Sequence, residues 1–175
     1  MTSAIEIVQA SPHFHAGEWP GDVLDWINPS VMQLVTDARA LSGSLIYPSP
    51  ITRAHVRREW SGSRHSLCDG ERLSDATDLF VSWGDVVAFL REVWSHPLRG
   101  GVGIYTDMRF QGDPPGHWAM VHVDTRPEPL DWVAWRGSVS DPLVYEYEIN
   151  DPATYRRIIA ERSPIQINNL GGCNE

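Results

Sequence analysis

Apolar positions Val31, Leu34, Val35, Ala38 and Leu41 recur at helical spacing between Asn28-Pro29 and Gly43. Asn caps a helix, Pro fits its first turn and Gly ends one, so this pattern predicts a helix. Val86, Val87, Leu90, Val93 and Trp94 predict a second helix over residues 83–95, stopped by Pro97. Between and beyond them the period shortens. Residues 45–56 hold strand-like stretches broken by Pro48 and Pro50, and Leu79-Phe80-Val81 reads as a buried strand. Residues 101–108 (GVGIYTDM), 119–125 (AMVHVDT) and 132–137 (WVAWRG) are runs of β-formers separated by Gly, Pro and Asp. Asp151-Pro152 opens a last amphipathic helix through Ile158 and Ile159, and residues 165–175 read as a mobile tail. Residues 1–27 read as an irregular segment packed on the core through Trp19 and Trp26. Helices flanking a central antiparallel sheet predict an α+β fold.

Length makes this one domain: 175 residues bury a core without staples. Composition narrows the partners. Fourteen basic residues against 23 acidic give a formal charge of −9, which argues against a nucleic-acid backbone. No window approaches the roughly 18 apolar residues of a membrane span. The N-terminal residues have neither a basic stretch nor an apolar run, so no signal peptide is expected. Cys68 and Cys173 have no CxxC partners, which fits two free thiols. The eight Trp, Trp132 and Trp135 among them, suit a core better than a sugar-stacking surface.

Candidate chemistry concentrates in two places. The stretch SRHSLCDGERLSDATDLF at 63–80 carries His65, then Asp69, Asp75 and Asp78, the last just before an apolar run. A carboxylate at the mouth of a buried strand is costly unless something pairs with it. In AMVHVDT, alternation puts Ala119, Val121, Val123 and Thr125 on one face and Met120, His122 and Asp124 on the other. His and Asp projecting together are what a hydrolytic zinc site needs, where three protein ligands leave one position open.

These motifs resemble the zinc D-alanyl-D-alanine metallopeptidases, carboxypeptidases and endopeptidases that cleave peptidoglycan peptides. Their first motif, SxHxxGxAxD, is similar to Ser63-Arg64-His65 followed by Ala76-Thr77-Asp78. A phage-type subgroup has GGxGxY…HxDTR, which is similar to residues 100–105 and to His122-Val123-Asp124-Thr125-Arg126. Trp132 and the upstream FHAGEW at 14–19 also resemble that subgroup, so the likeness covers residues 14–136. It departs from the family in two ways: SLCDGERL lengthens the first motif, and Ser74 stands where the motif has Gly.

The resemblance implies a Hedgehog-like, DD-peptidase fold and Zn2+ held by His65, Asp78 and His122. Asp75 and, less closely, Asp69 are rivals to Asp78, which has the family's AxD context before apolar residues. Relatives carry a His or Glu base at positions that here are Met120 and Ala119. Asp124 then stands either as the base or as the group orienting a ligand His, and His117 as an accessory His or a surface residue. The family's substrate-facing Arg corresponds to Arg57, with Arg53 as the alternative, while Arg126 supports the site or the fold and not the chemistry. Function follows as hydrolysis of peptidoglycan stem peptides in an endolysin-like setting. Expected locations are the host cytoplasm before release or a phage virion, among other virion proteins. The alternative is a peptidase-like structural protein of a phage particle that has lost catalysis.

Overall fold

The computed structural model describes residues 2–58, 63–67, 73–106, 117–135, 142–147 and 157. The helix expected after Asn28 is α2, Pro29–Ser42. The Asn28 side chain accepts from the Ser30 amide, and Gly43 ends the helix at φ 65°, a left-handed conformation that favours glycine. The run before Pro97 forms α3, Val86–Ser95, shorter at its start than expected. Trp83, Gly84 and Asp85 are spent in a turn, where the Asp85 carboxylate accepts from the Leu45 amide.

The irregular reading of residues 1–27 is corrected in part. Ala4–Ala10 forms a helix, α1, begun by a reciprocal capping box between Ser3 and Glu6. Seven residues do not hold a helix alone, so its stability comes from burying Ala4 and Val8 in the core. The S-x-x-E spacing was the sequence signal for it. Beyond α1 the segment has only short 3₁₀ turns at Ala16–Glu18 and Val23–Asp25, with Phe14, Trp19 and Val23 buried.

The strands are β1 (Ile46–Pro48), β2 (Ala76–Ser82), β3 (Val102–Tyr105), β4 (Trp118–Asp124), β5 (Asp131–Trp135) and β6 (Val144–Tyr147). They form one sheet in the order β1-β2-β4-β3-β5-β6. All pairs are antiparallel except β3–β5, which corrects the fully antiparallel expectation. After β4 turns back along β3, the chain passes to the far side of β3, so β5 runs parallel to it. β6 was not anticipated, although VYEY is rich in β-formers.

One face of the sheet carries Leu79, Val81, Val121, Val123, Ile104 and Val133. These residues share a single apolar core with Val31, Leu34 and Val35 of α2 and Phe89, Leu90 and Val93 of α3. The other face carries Asp78, His122 and Trp132. The mixed α+β architecture therefore leaves one sheet face for chemistry. No helix among the described residues is long and apolar enough to cross a membrane. The expected helix from Asp151, the tail at 165–175, Asp69 and both cysteines lie outside the described residues.

Candidate metal centre

Strand register builds half of the site. Asp78 of β2 lies opposite His122 of β4, so both side chains leave the same face of adjacent strands. His65 arrives from a loop tied down on two sides. The Arg57 amide donates to the His65 carbonyl (2.6 Å), the Leu67 amide to the Arg57 carbonyl (2.9 Å) and the Asp75 amide to the Arg64 carbonyl (3.2 Å).

Three donors converge as a result. His122 Nδ1 is 2.9 Å from Asp78 Oδ1, His65 Nε2 is 3.3 Å from the same oxygen, and the two nitrogens are 3.1 Å apart. All three residues are buried, and together they could hold a metal ion. Their spacing fits one. Ligands about 2.0–2.1 Å from a tetrahedral Zn2+ stand roughly 3.3 Å from each other. Two imidazoles and a carboxylate are also a donor set that zinc takes.

The other nitrogen of His122, Nε2, donates to Asp124 Oδ2 at 3.1 Å. That contact fixes which nitrogen faces Asp78 and His65, a support common behind metal-binding histidines. Asp124 has no exposed surface. The Gly101 amide donates to it at 2.6 Å, and the Arg126 guanidinium grips both its oxygens. Asp124 therefore orients His122 and does not open onto the cleft.

The glycines of the GGxG run are explained by the same contacts. A Cβ on Gly101 would stand 2.8 Å from both Asp124 Oδ2 and Arg126 Nε, and one on Gly100 would run into the Arg126 backbone. A Cβ on Gly103 would overlap the Trp132 indole, which crosses β3 at that point. Trp132 thereby reaches the His122 ring, with centroids 4.9 Å apart. Gly100 and Gly101 make room for the group that orients His122, and Gly103 for the indole that covers it.

Electrostatics follow from who faces whom. Burial alone would raise the Asp78 pKa, but His65 and His122 outweigh it and hold the carboxyl well below its usual range. Burial likewise pulls His122 down, yet Asp124 and Asp78 outweigh it, giving about 9 without a metal. Asp124 is also held low, His122 and Arg126 overcoming its burial. The site is thus built around a positive charge between two carboxylates.

A cleft of about 430 Å³ opens over the three donors, its wall including Arg57, Arg64, Tyr105, Trp132 and Tyr145. Asp75, the rival to Asp78, lies outside the cluster and accepts from Asn28 Nδ2 at 2.9 Å. Arg57 lines the cleft, whereas Arg53 sits exposed on the 3₁₀ turn Thr52–Ala54. Of the two readings of His117, the structure has the surface one. It is exposed at the opposite end of β4, its carbonyl taken by the Trp83 amide. It stands five steps along the chain from His122, about 17 Å for an extended strand.

Arg64, Tyr105 and Tyr145 were given no role in the sequence reading. Tyr105 stood inside the quoted motif, but only the pairing of β3 with β4 reveals which face it takes. Compared with protein-family models, curated proteins and solved structures, the chain shows no match in any of the three.

Proposed function

We propose that this chain is a zinc-dependent peptidase of bacterial peptidoglycan, acting on D-alanine-type stem peptides as a carboxypeptidase or endopeptidase. The observation that carries the reading is the buried His65–Asp78–His122 donor set on the floor of an open cleft. A structural metal site is closed by a fourth protein ligand, whereas a hydrolytic one leaves a position open. Here the described residues bring three donors together, with the cleft above them. Zinc in this place supplies Lewis acidity to the amide carbonyl and to the attacking water.

The chain's own residues divide the remaining work. Asp124 holds His122 in the tautomer that turns Nδ1 to the donor cluster. Arg57 and Arg64 line the cleft as cations, suited to a carboxylate of the substrate because a guanidinium grips one with two hydrogen bonds. The substrate class rests on the likeness of the SxH…AxD and GGxGxY…HxDTR motifs. The same likeness suggests an endolysin or virion setting.

A second reading has one observation in its favour. Ala119 and Met120 stand where relatives keep a proton-transferring group, and Asp124 is fully enclosed. On that reading the domain binds zinc and stem peptide without turnover, as a structural part of a phage particle. Incubating the zinc-loaded protein with peptidoglycan, with and without chelator, and weighing the released fragments separates the two. Chelator-sensitive fragments are expected, and their masses name the bond. Intact peptidoglycan from folded, zinc-loaded protein selects the structural reading.

A further inference from the structure

We infer that Tyr105 is a catalytic residue of this site: its phenol O–H donates a hydrogen bond to the carbonyl oxygen of the scissile amide. The bond strengthens as that oxygen gains charge on the way to the tetrahedral transition state. This assignment rests on the peptidase reading above and adds a residue to it.

Placement is the first argument. Gly103 lies opposite His122, and Tyr105, two residues on, lies opposite Met120 on the same face. Tyr105 is thus the diagonal neighbour of His122, within reach of a side chain as long as Tyr. The cleft that it lines is the one over His65, Asp78 and His122. Asp78 approaches His122 from β2 and Tyr105 from β3, so the phenol and the carboxylate stand on opposite sides of His122.

Rigidity is the second. β3 lies inside the sheet between β4 and β5, and the Tyr105 ring meets the Tyr145 ring edge-on at 6.3 Å and 86°. The hydroxyl is also hydrogen-bonded to Trp132 and Tyr145, so the ring and oxygen are fixed in place. Only the O–H has to turn to the substrate, which limits the reorganisation that such hydrogen bonds must avoid.

Chemistry is the third. Met120 and Phe80, which share the face of His122 and Asp78, offer no side-chain donor. Arg126 is committed to Asp124, and Arg57 and Arg64 on the cleft wall are assigned to the substrate carboxylate. Burial, with the Asp78 charge next, raises the phenol above its ordinary range, so it stays protonated at neutral pH. In the hydrolysis the water oxygen bonds to the carbonyl carbon and the C–N bond breaks. The protons that the new amine and acid require come from water, and the phenol gives up none.

Tyr105→Phe tests this, because it keeps the ring and its packing and removes only the O–H. The readouts are zinc affinity, KM and kcat on a D-alanyl-D-alanine peptide, and Kd for a phosphinate analogue of that dipeptide. A phosphinate oxygen stands where the charged oxygen of the transition state would be. Expected is a fall in kcat of about 100-fold, a parallel weakening of the phosphinate, and KM and zinc affinity unchanged within about threefold. Phosphinate binding that is tight in the wild type and equally tight in Tyr105→Phe overturns the assignment alone. Loss of zinc affinity along with kcat overturns it in favour of a packing role. A zinc-loaded wild type that neither hydrolyses the peptide nor binds the phosphinate overturns the peptidase reading, and Tyr105 as catalyst with it.

Discussion

Thr77 and Asp78 are neighbours on β2, point to opposite faces of the sheet, and each holds a buried histidine. Thr77 Oγ1 is 2.7 Å from His55 Nδ1, and His55 Nε2 donates to the Ser49 carbonyl at 2.7 Å. Asp78 lies 2.9 Å from His122, whose far nitrogen donates to Asp124. The carbonyl of Ser49 only accepts, so His55 carries its proton on Nε2 and takes the Thr77 hydroxyl at Nδ1. Its partners are neutral, and burial, the largest influence, lowers its pKa to about 4. The partners of His122 are two carboxylates, which raise it to about 9 against its burial. Same side chain, neighbouring residues of one strand, opposite electrostatics: what converges on an imidazole, and not its burial, decides whether a cation belongs there.

The most severe way to break that contrast is to remove each ring. His122→Ala is expected to abolish zinc binding and hydrolysis, because two donors are left and nothing divides Asp78 from Asp124. His55→Ala is expected to leave zinc stoichiometry at the wild-type value while lowering stability by several kcal/mol, about the cost of a large cavity with unpaired groups. Equilibrium dialysis against zinc, run beside denaturant unfolding, reads both. Retained hydrolysis in His122→Ala would sink the ligand assignment.

Acidity separates the two histidines next. With a folded pKa lowered from 6.5 to about 4, His55 binds its proton more readily in the unfolded chain. Its contribution is present above pH 6.5 and lost as pH falls toward 4, roughly 3 kcal/mol in all. His122 has the opposite sign in zinc-free protein. Its contribution is present below pH 6.5 and lost as pH rises through about 9. Subtracting the unfolding free energies of His55→Gln and of His122→Gln from wild type, pH by pH, is expected to give slopes of opposite sign. Parallel slopes would erase the contrast.

That contrast was only half legible in the sequence. His122 and Asp124 were readable as a pair, since alternation alone puts i and i+2 on one face of a strand. Asp78 was readable from the local AxD context, but its selection over Asp75 depends on the register Asp78↔His122. Register is a property of two strands and is written in neither. His55 left no trace: its partners come from sequence separations of 6 and 22 residues, and a lone His in ITRAHVRREW offers no period to read. The helices α2 and α3 were legible because their caps and apolar stripes are local, whereas α1, at seven residues, is too short for a stripe. Of the two readings of His117 the surface one holds, because a strand runs straight and carries that residue away from His122.

A milder change sharpens the picture of how His122 is aimed. Asp124→Asn keeps the shape but weakens the hold on His122 Nε2 and on Arg126. Removal of such a supporting group costs about 10–100-fold in metal affinity, and that loss is expected in a zinc competition titration. An unchanged affinity would mean that Asp78 and His65 alone orient the ring.

The smallest effect belongs to the partner on the other face. Thr77→Val is nearly isosteric and removes only the hydroxyl that His55 Nδ1 accepts from. Leaving one buried nitrogen without its donor costs about 1–3 kcal/mol, so the unfolding midpoint drops. Zinc affinity is expected to stay within about twofold, because Thr77 faces the core while the neighbouring Asp78 faces the cleft. Asp78→Asn, one residue on, is expected to do the reverse, since it removes an anionic ligand and relieves the burial of a charge. A zinc affinity that follows Thr77→Val as closely as it follows Asp78→Asn would show the two faces of β2 to be coupled. His55 would then belong to the metal centre and not only to the core.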